Sequence, residues 1–144
     1  MTTLPRKVAV IGAGDIGCGW AALCASAGWP VSVFDASARG LERASQEVPR
    51  RTRALVALER ATQGIVERGL LEFAQARSLL QAVQDADWVI EAIPEDVIAK
   101  QKLFESIEQV AGTDTLLTSS SSGIAPADVF ARCRRRTAAS WPIP

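Results

Sequence analysis

The chain has 144 residues, one domain's length, of which 48% are hydrophobic, and no run approaches the ~20 apolar residues of a membrane span. Sixteen basic residues balance sixteen acidic ones, which argues against nucleic acid as the main partner. No histidine is present and the three cysteines lack metal-ligand spacing, so no metal site is expected and the commonest neutral-pH acid–base group is missing. Residues 1–7 lack the apolar core of a secretory signal, which makes a cytoplasmic protein the expectation.

The first predicted strand, Val8-Ala9-Val10-Ile11, runs into Gly12-Ala13-Gly14-Asp15-Ile16-Gly17, a Gly-x-Gly-x-x-Gly pattern. A helix-periodic stretch holding Cys18 and Cys24 follows, then a second apolar run, Val31-Ser32-Val33-Phe34, ending in Asp35. Gly12 permits a tight turn, Gly14 lets a pyrophosphate approach the backbone, and Gly17 lets the helix pack closely on the strand. The helix start turns its free N–H groups and positive dipole end toward the diphosphate. Asp35 is spaced to accept both hydroxyls of an adenosine ribose, and a carboxylate there disfavours a 2′-phosphate, so NAD is preferred to NADP. Arg39 is either a solvated helix residue or a partner for such a phosphate. FAD proteins share the fingerprint, and this first unit alone does not separate them.

Beyond Asp35, Ser37 is a plausible N-cap for a helix carrying Leu41, Ala44 and Val48. Pro49 should break or restart it, with Leu55, Leu58, Ile65 and Leu70 continuing the stripe toward Gly69. Arg50, Arg51 and Arg53 read as a solvated face in preference to a contact for an anionic substrate. Residues 72–77 fit a short strand or a helix end. Ser78 should cap a short helix over 79–86. Trp88-Val89-Ile90-Glu91-Ala92-Ile93 is expected to be a strand buried on both faces, stopped by Pro94. A helix over 96–111 follows, with Val97, Phe104, Ile107 and Val110 inward. Thr115-Leu116-Leu117-Thr118 forms a further strand opening into Ser119-Ser120-Ser121-Ser122-Gly123, and a last helix spans about 126–132. This alternation predicts an α/β, Rossmann-type doubly wound, mostly parallel sheet, incomplete at its C-terminal edge. Residues 1–133 are assigned to that domain and 134–144 to an irregular basic tail.

In open α/β sheets ligands bind beyond the carboxyl ends of the strands, which singles out residues 92–100 and 119–123. Glu95 is placed to accept from a ribose hydroxyl and Lys100 to donate to the same sugar. Equally, Glu95 is the acid that matches a helix dipole. The serine row has hydroxyls for a nicotinamide or a substrate oxygen, or is simply a turn.

Three segments together resemble the N-terminal NAD-binding domain of the 3-hydroxyacyl-CoA dehydrogenase superfamily. They are residues 8–35, the block Ala86-Asp87-Trp88-Val89-Ile90-Glu91-Ala92-Ile93-Pro94-Glu95, and Leu117-Thr118-Ser119-Ser120-Ser121-Ser122-Gly123. The match covers roughly residues 5–133. Gly19-Trp20-Ala21 and the serine loop are most similar to the lambda-crystallin, L-gulonate and carnitine dehydrogenase branch. The resemblance implies that NAD is held by residues 12–17 and Asp35, with Glu95 and Lys100 by the nicotinamide-side ribose. Ser122 matches the serine that hydrogen-bonds the substrate hydroxyl, the small-molecule substrate being a 3-hydroxyacyl-CoA or 3-hydroxy acid. The family oxidises a secondary alcohol with NAD while a histidine, oriented by a glutamate, removes the hydroxyl proton. A helical domain then closes the site and carries a dimer contact.

The chain departs from that pattern in having no histidine. Residues 69–87 also read as short against the family's longer link, which has a strand of its own. Arg134-Arg135-Arg136 and the segment after it fit neither helix nor strand, so the tail is expected to be either out of frame or a naturally short basic end. Without a sixth strand and a helical domain, an exposed sheet edge, marginal stability and weak NAD binding are expected.

Overall fold

The computed structural model describes residues 7–134. Five strands form one parallel sheet in the order β3-β2-β1-β4-β5. They are β1 (Val8–Ile11), β2 (Val31–Phe34), β3 (Phe73–Gln75), β4 (Trp88–Glu91) and β5 (Leu116–Ser119). Six helices lie between or after them: α1 (Asp15–Ser26), α2 (Ala38–Ala57), α3 (Gln63–Leu71), α4 (Leu79–Val83), α5 (Val97–Val110) and α6 (Pro126–Val129). This is the expected Rossmann-type α/β order.

Strand alternation sorts the core into two layers. Val8 and Val10 of β1 pack with Ala21, Cys24 and Ala25 of α1 and Val48 of α2. Ala9 and Ile11 face the opposite way, onto Val83, Phe104, Ile107 and Val129. With both faces of β1 covered, every residue of that strand is buried, which is why it reads as a continuous apolar run rather than an alternating one. Register matters most for the site. Ile11 is level with Phe34 on one side and Glu91 on the other, and Glu91 is level with Ser119. The residues that follow these four strand ends therefore emerge along one edge. The chain runs from β1 to β2 on one side and reaches β4 on the other, which creates a crevice at the switch point.

Four sequence expectations change, one of them at β4, which ends at Glu91 and not at Ile93, and one open choice is resolved. Pro49 does not break its helix, because α2 runs unbroken from Ala38 to Ala57 with the proline inside. The buried stripe Ala44, Val48 and Thr52 spans it, and Thr52 donates to the Val48 carbonyl at 2.7 Å, so packing outweighs the lost backbone bond. Residues 73–75 form strand β3, parallel to β2, with the Ala76 N–H donating to the Val33 carbonyl at 2.8 Å. The short link after Gly69 thus keeps a strand of its own. Helices α4 and α6 end earlier than expected, at Val83 and Val129. Past Val83 the backbone turns to bond β1, Asp87 N–H donating to the Lys7 carbonyl at 2.9 Å. Beyond Val129 only turn bonds continue, such as Cys133 N–H to the Phe130 carbonyl at 2.9 Å. Of the proposed tail, residues 135–144 lie outside the described residues. Among the described residues no helix is long and apolar enough to cross a membrane.

Candidate dinucleotide site

The three fingerprint glycines have different structural causes. Gly12 sits at φ +105°, and a Cβ on it would lie 2.6 Å from the Ala92 carbonyl oxygen, where the chain leaves β4. A Cβ on Gly17 would lie 1.8 Å from the Gly12 carbonyl oxygen, so the start of α1 rests directly on the turn. Gly14 differs, because nothing lies within 4 Å of the place its Cβ would take. The fold does not require a glycine there. Its bare backbone instead fronts a cavity of about 1200 Å³. Gly14 is the N-cap of α1 and no side chain caps that helix, so its first-turn N–H groups offer their positive end to an anion. Ala13, Asp15 and Ile16 line the same cavity, and Gly17 stands behind it.

Asp35, at the end of β2, closes one end. Its Oδ2 accepts from the Ala13 N–H, and its Oδ1 from the N–H and hydroxyl of Ser37, each at 2.8 Å. Burial works against its charge, but these three donors outweigh burial and hold its carboxyl below the usual value. Gly40 is a residue the sequence reading missed. A Cβ there would sit 2.4 Å from the Asp35 carboxyl carbon and 2.5 and 2.7 Å from its oxygens. The available signal was a glycine in the first turn of a helix that starts just after the acid.

The arginines divide. Arg39 and Arg43 line the cavity near Asp35. Arg51 donates to the Asp15 carbonyl at 2.8 Å and pairs with its carboxylate at 2.9 Å and with Glu47 at 2.9 Å. It ties the start of α1 to α2. Arg50 pairs with Glu47 at 2.7 Å. These two arginines are committed to protein partners.

At the other end lie Glu95 and the serine loop. Asp96, not Glu95, caps α5, accepting from the Ala99 N–H at 3.0 Å. Glu95 is left on the cavity wall, with the Ser121 hydroxyl 2.7 and 2.8 Å from its two oxygens. That hydroxyl, against a smaller opposing effect of burial, and then the Lys100 ammonium hold Glu95 below the usual carboxylate range. Ser122 is exposed and lines the cavity.

Lys100 differs from expectation. Its side chain is 0% exposed, and the ammonium contacts Glu91 Oε1 at 2.6 Å, the Ile93 carbonyl at 2.9 Å and Glu95 Oε1 at 3.4 Å. It stands behind the wall rather than on it. Glu91, equally buried, also accepts from the Ile93 N–H at 2.7 Å and the Ser119 hydroxyl at 2.5 Å. Glu91 was not singled out from sequence, and Ser119 was singled out only as part of the serine row, not as a partner for a buried acid. The one acid in an apolar strand was the available clue, since a charge is buried only when paired. Among the described residues no group of three His, Cys, Asp or Glu is arranged to hold a metal.

The residues present fit a dinucleotide. A bare-backbone cradle at Gly14 suits a diphosphate, and ionised carboxylates at the two ends, Asp35 and Glu95, suit ribose hydroxyls. Comparison with known proteins agrees. The family model for the 3-hydroxyacyl-CoA dehydrogenase NAD-binding domain matches residues 7–140. The chain is 35% identical over 134 residues to an L-carnitine dehydrogenase/betainyl-CoA thioesterase of Rhizobium meliloti (strain 1021), covering 93% of this chain and 26% of that protein. It is 35% identical to a lambda-crystallin homolog of Bos taurus, covering 90% of this chain and 41% of that one. In three dimensions it matches a 3-hydroxybutyryl-CoA dehydrogenase from Escherichia coli K12 with a TM-score of 0.78 at 34% identity, covering 88% of this chain and 27% of the other. The chain thus spans between about a quarter and two-fifths of the length of these relatives. A glycine cradle, an acid at each end of one crevice and a family match over nearly the whole sequence lead to one assignment: this chain belongs to the 3-hydroxyacyl-CoA dehydrogenase family, as its NAD-binding domain.

Proposed function

We propose that the chain holds NAD for an oxidoreductase that takes hydride from the secondary alcohol of a 3-hydroxyacyl-CoA of fatty acid metabolism or of a free 3-hydroxy acid. The observation that carries the reading is Gly14. It is a glycine without a backbone or packing reason, set at an uncapped helix start between Asp35 and Glu95. In this reading Gly12, Ala13, Gly14, Asp15, Ile16 and Gly17 form the diphosphate turn. Asp35 accepts from the adenosine ribose hydroxyls and Glu95 from those of the nicotinamide ribose. Lys100 acts from behind, through Glu95. Ser122 donates to or accepts from the substrate hydroxyl beside the nicotinamide. NAD, when bound, supplies the hydride acceptor.

The proton of the substrate hydroxyl needs a base, and the 144 residues contain no histidine. An imidazole base therefore comes from outside these residues, and relatives of full length are proposed to act as dimers. That same absence favours a second reading, an NAD-binding module without turnover of its own. The cytoplasmic setting we infer is supported by Cys18 and Cys24, which are buried thiols.

Calorimetry with NAD, NADP, FAD and S-adenosylmethionine tests the cofactor site. NAD should bind in preference to the others, and Asp35→Ala should weaken NAD and narrow its margin over NADP. Equal affinities before and after that substitution would remove Asp35 from the site. Turnover with 3-hydroxyacyl-CoA, L-gulonate and L-carnitine separates the two readings: NADH from any of them supports the oxidoreductase, and NAD binding without NADH supports the module.

A further inference from the structure

Five side chains from two strand ends and one helix form a closed circuit. Lys100 contacts Glu91 and Glu95, Glu91 accepts from the Ser119 hydroxyl, Ser119 accepts from the Ser121 N–H at 3.1 Å, and the Ser121 hydroxyl donates back to Glu95. We propose that this circuit is a positioning device, in which Glu91, Lys100, Ser119 and Ser121 fix Glu95 and the turn carrying Ser122 as one rigid unit at the nicotinamide end of the crevice. The inference rests on the assignment of Glu95 to the nicotinamide-side ribose given above.

Three features carry it. First, the ammonium of Lys100 has three N–H groups and three protein acceptors around it, with its side chain 0% exposed, so it has no donor left for a sugar. Its charge is spent on geometry. Second, a buried ion pair is a poor way to stabilise a fold, because well-packed apolar residues do as well or better. Its presence at Glu91 and Lys100 is accounted for by what it orients. Third, the circuit joins loops that are distant in sequence. Glu91 and Ser119 pair across adjacent strands, and Glu95 meets Ser121 just beyond them. Apart from the circuit and a Gly123 backbone hydrogen bond to Glu95, the sheet fixes the relative position of the loops carrying Glu95 and Ser122 only at the strand ends. Every member is satisfied, and no buried side-chain polar atom among the described residues lacks a partner. A fully satisfied buried network holds one geometry.

The test compares NAD with ADP, which reaches only the Gly12 to Asp35 half, on the full chain and its Ser119→Ala and Ser121→Ala variants. The device predicts that each variant keeps ADP affinity and loses about tenfold in NAD affinity, so that the NAD-to-ADP ratio falls. A merely structural role would lower both ligands together and leave the ratio unchanged. Ser121 is on a loop and its hydroxyl is not in the core, so its variant folds even where Ser119→Ala does not. An unchanged ratio in Ser121→Ala overturns the proposal. So does a wild-type chain that binds NAD no more tightly than ADP, because Glu95 then contributes nothing. Failure of the wild-type chain to bind either nucleotide would instead refute the cofactor-site reading itself.

Discussion

Replacing Lys100 by methionine removes the only cation in contact with Glu91 among the described residues, while both side chains are 0% exposed. Glu91 would keep the Ile93 N–H and the Ser119 hydroxyl but lose its 2.6 Å partner. Stranding a buried carboxylate in this way costs about 3–5 kcal/mol. A domain of this size has a total stability of only about 5–15 kcal/mol, so the variant stands near its unfolding threshold at room temperature. The double variant Glu91→Gln/Lys100→Met removes both charges and leaves an amide whose oxygen accepts from the Ile93 N–H and whose NH2 donates to the Ser119 hydroxyl oxygen. It should regain about 2 kcal/mol or more over Lys100→Met. At roughly 3–5 °C per kcal/mol, that is a rise in midpoint of about 6 °C or more. Urea and thermal unfolding followed by tryptophan fluorescence read both, since Trp20 and Trp29 each meet Trp88 edge-on at 6.2 and 6.3 Å and report core packing. The reasoning fails if Lys100→Met costs less than about 1 kcal/mol. It fails equally if the losses of the two single substitutions simply add in the double variant.

Other expectations follow from the packing. Gly69→Ala would put a Cβ 1.9 Å from the Ala25 carbonyl oxygen and force α3 away from α1, costing about 1–3 kcal/mol, whereas Gly64→Ala in the same helix meets nothing within 4 Å and should gain up to about 1 kcal/mol; chemical denaturation of the pair checks the contrast. Gly40→Ala should displace the Asp35 carboxylate from its bonds to Ala13 and Ser37, weakening ADP and NAD alike and lowering the unfolding midpoint; retention of nucleotide affinity would contradict the role given to Gly40. Glu47, held at about 2 chiefly by its bonds to Arg50 and Arg51, and Asp35 and Glu95, also held low, bind fewer protons folded than unfolded. The stability they contribute is complete above their ordinary values of 3.8 to 4.5 and is lost as pH falls toward about 2, so acid unfolding should steepen in that window. Burial pushes the Cys24 thiol up to about 12, so it should resist alkylation at pH 8 in the native protein and react once unfolded; rapid native labelling would contradict its burial.

The sequence by itself determined the order of elements and the glycine turn that fronts the crevice. Gly12, Gly14, Gly17 and Asp35 are legible because they lie within one β-α-β unit, where each residue's role depends on neighbours close in the chain. The blocks around Glu95 and Ser122 could be placed at strand ends, but their residues alone left a helix-dipole acid and a simple turn open, and only the family resemblance implied a site there. What only the tertiary structure decided depends on residues brought together from a distance, or on a side chain's direction. Arg51 reads as a solvated arginine until α2 crosses α1 and sets it on Asp15, 36 residues away. Gly69 looks like a helix-end glycine until α3 is seen to touch the Ala25 carbonyl. Pro49 predicts a break, yet the buried stripe from Ala44 to Thr52 holds α2 together. Lys100 has the right spacing for a cofactor ligand. Its direction was set by Glu91, a buried carboxylate at the carboxyl end of β4 that no local pattern can pair. Periodicity and turn chemistry are written along the chain, whereas the partner of a buried charge is chosen by which strands lie side by side.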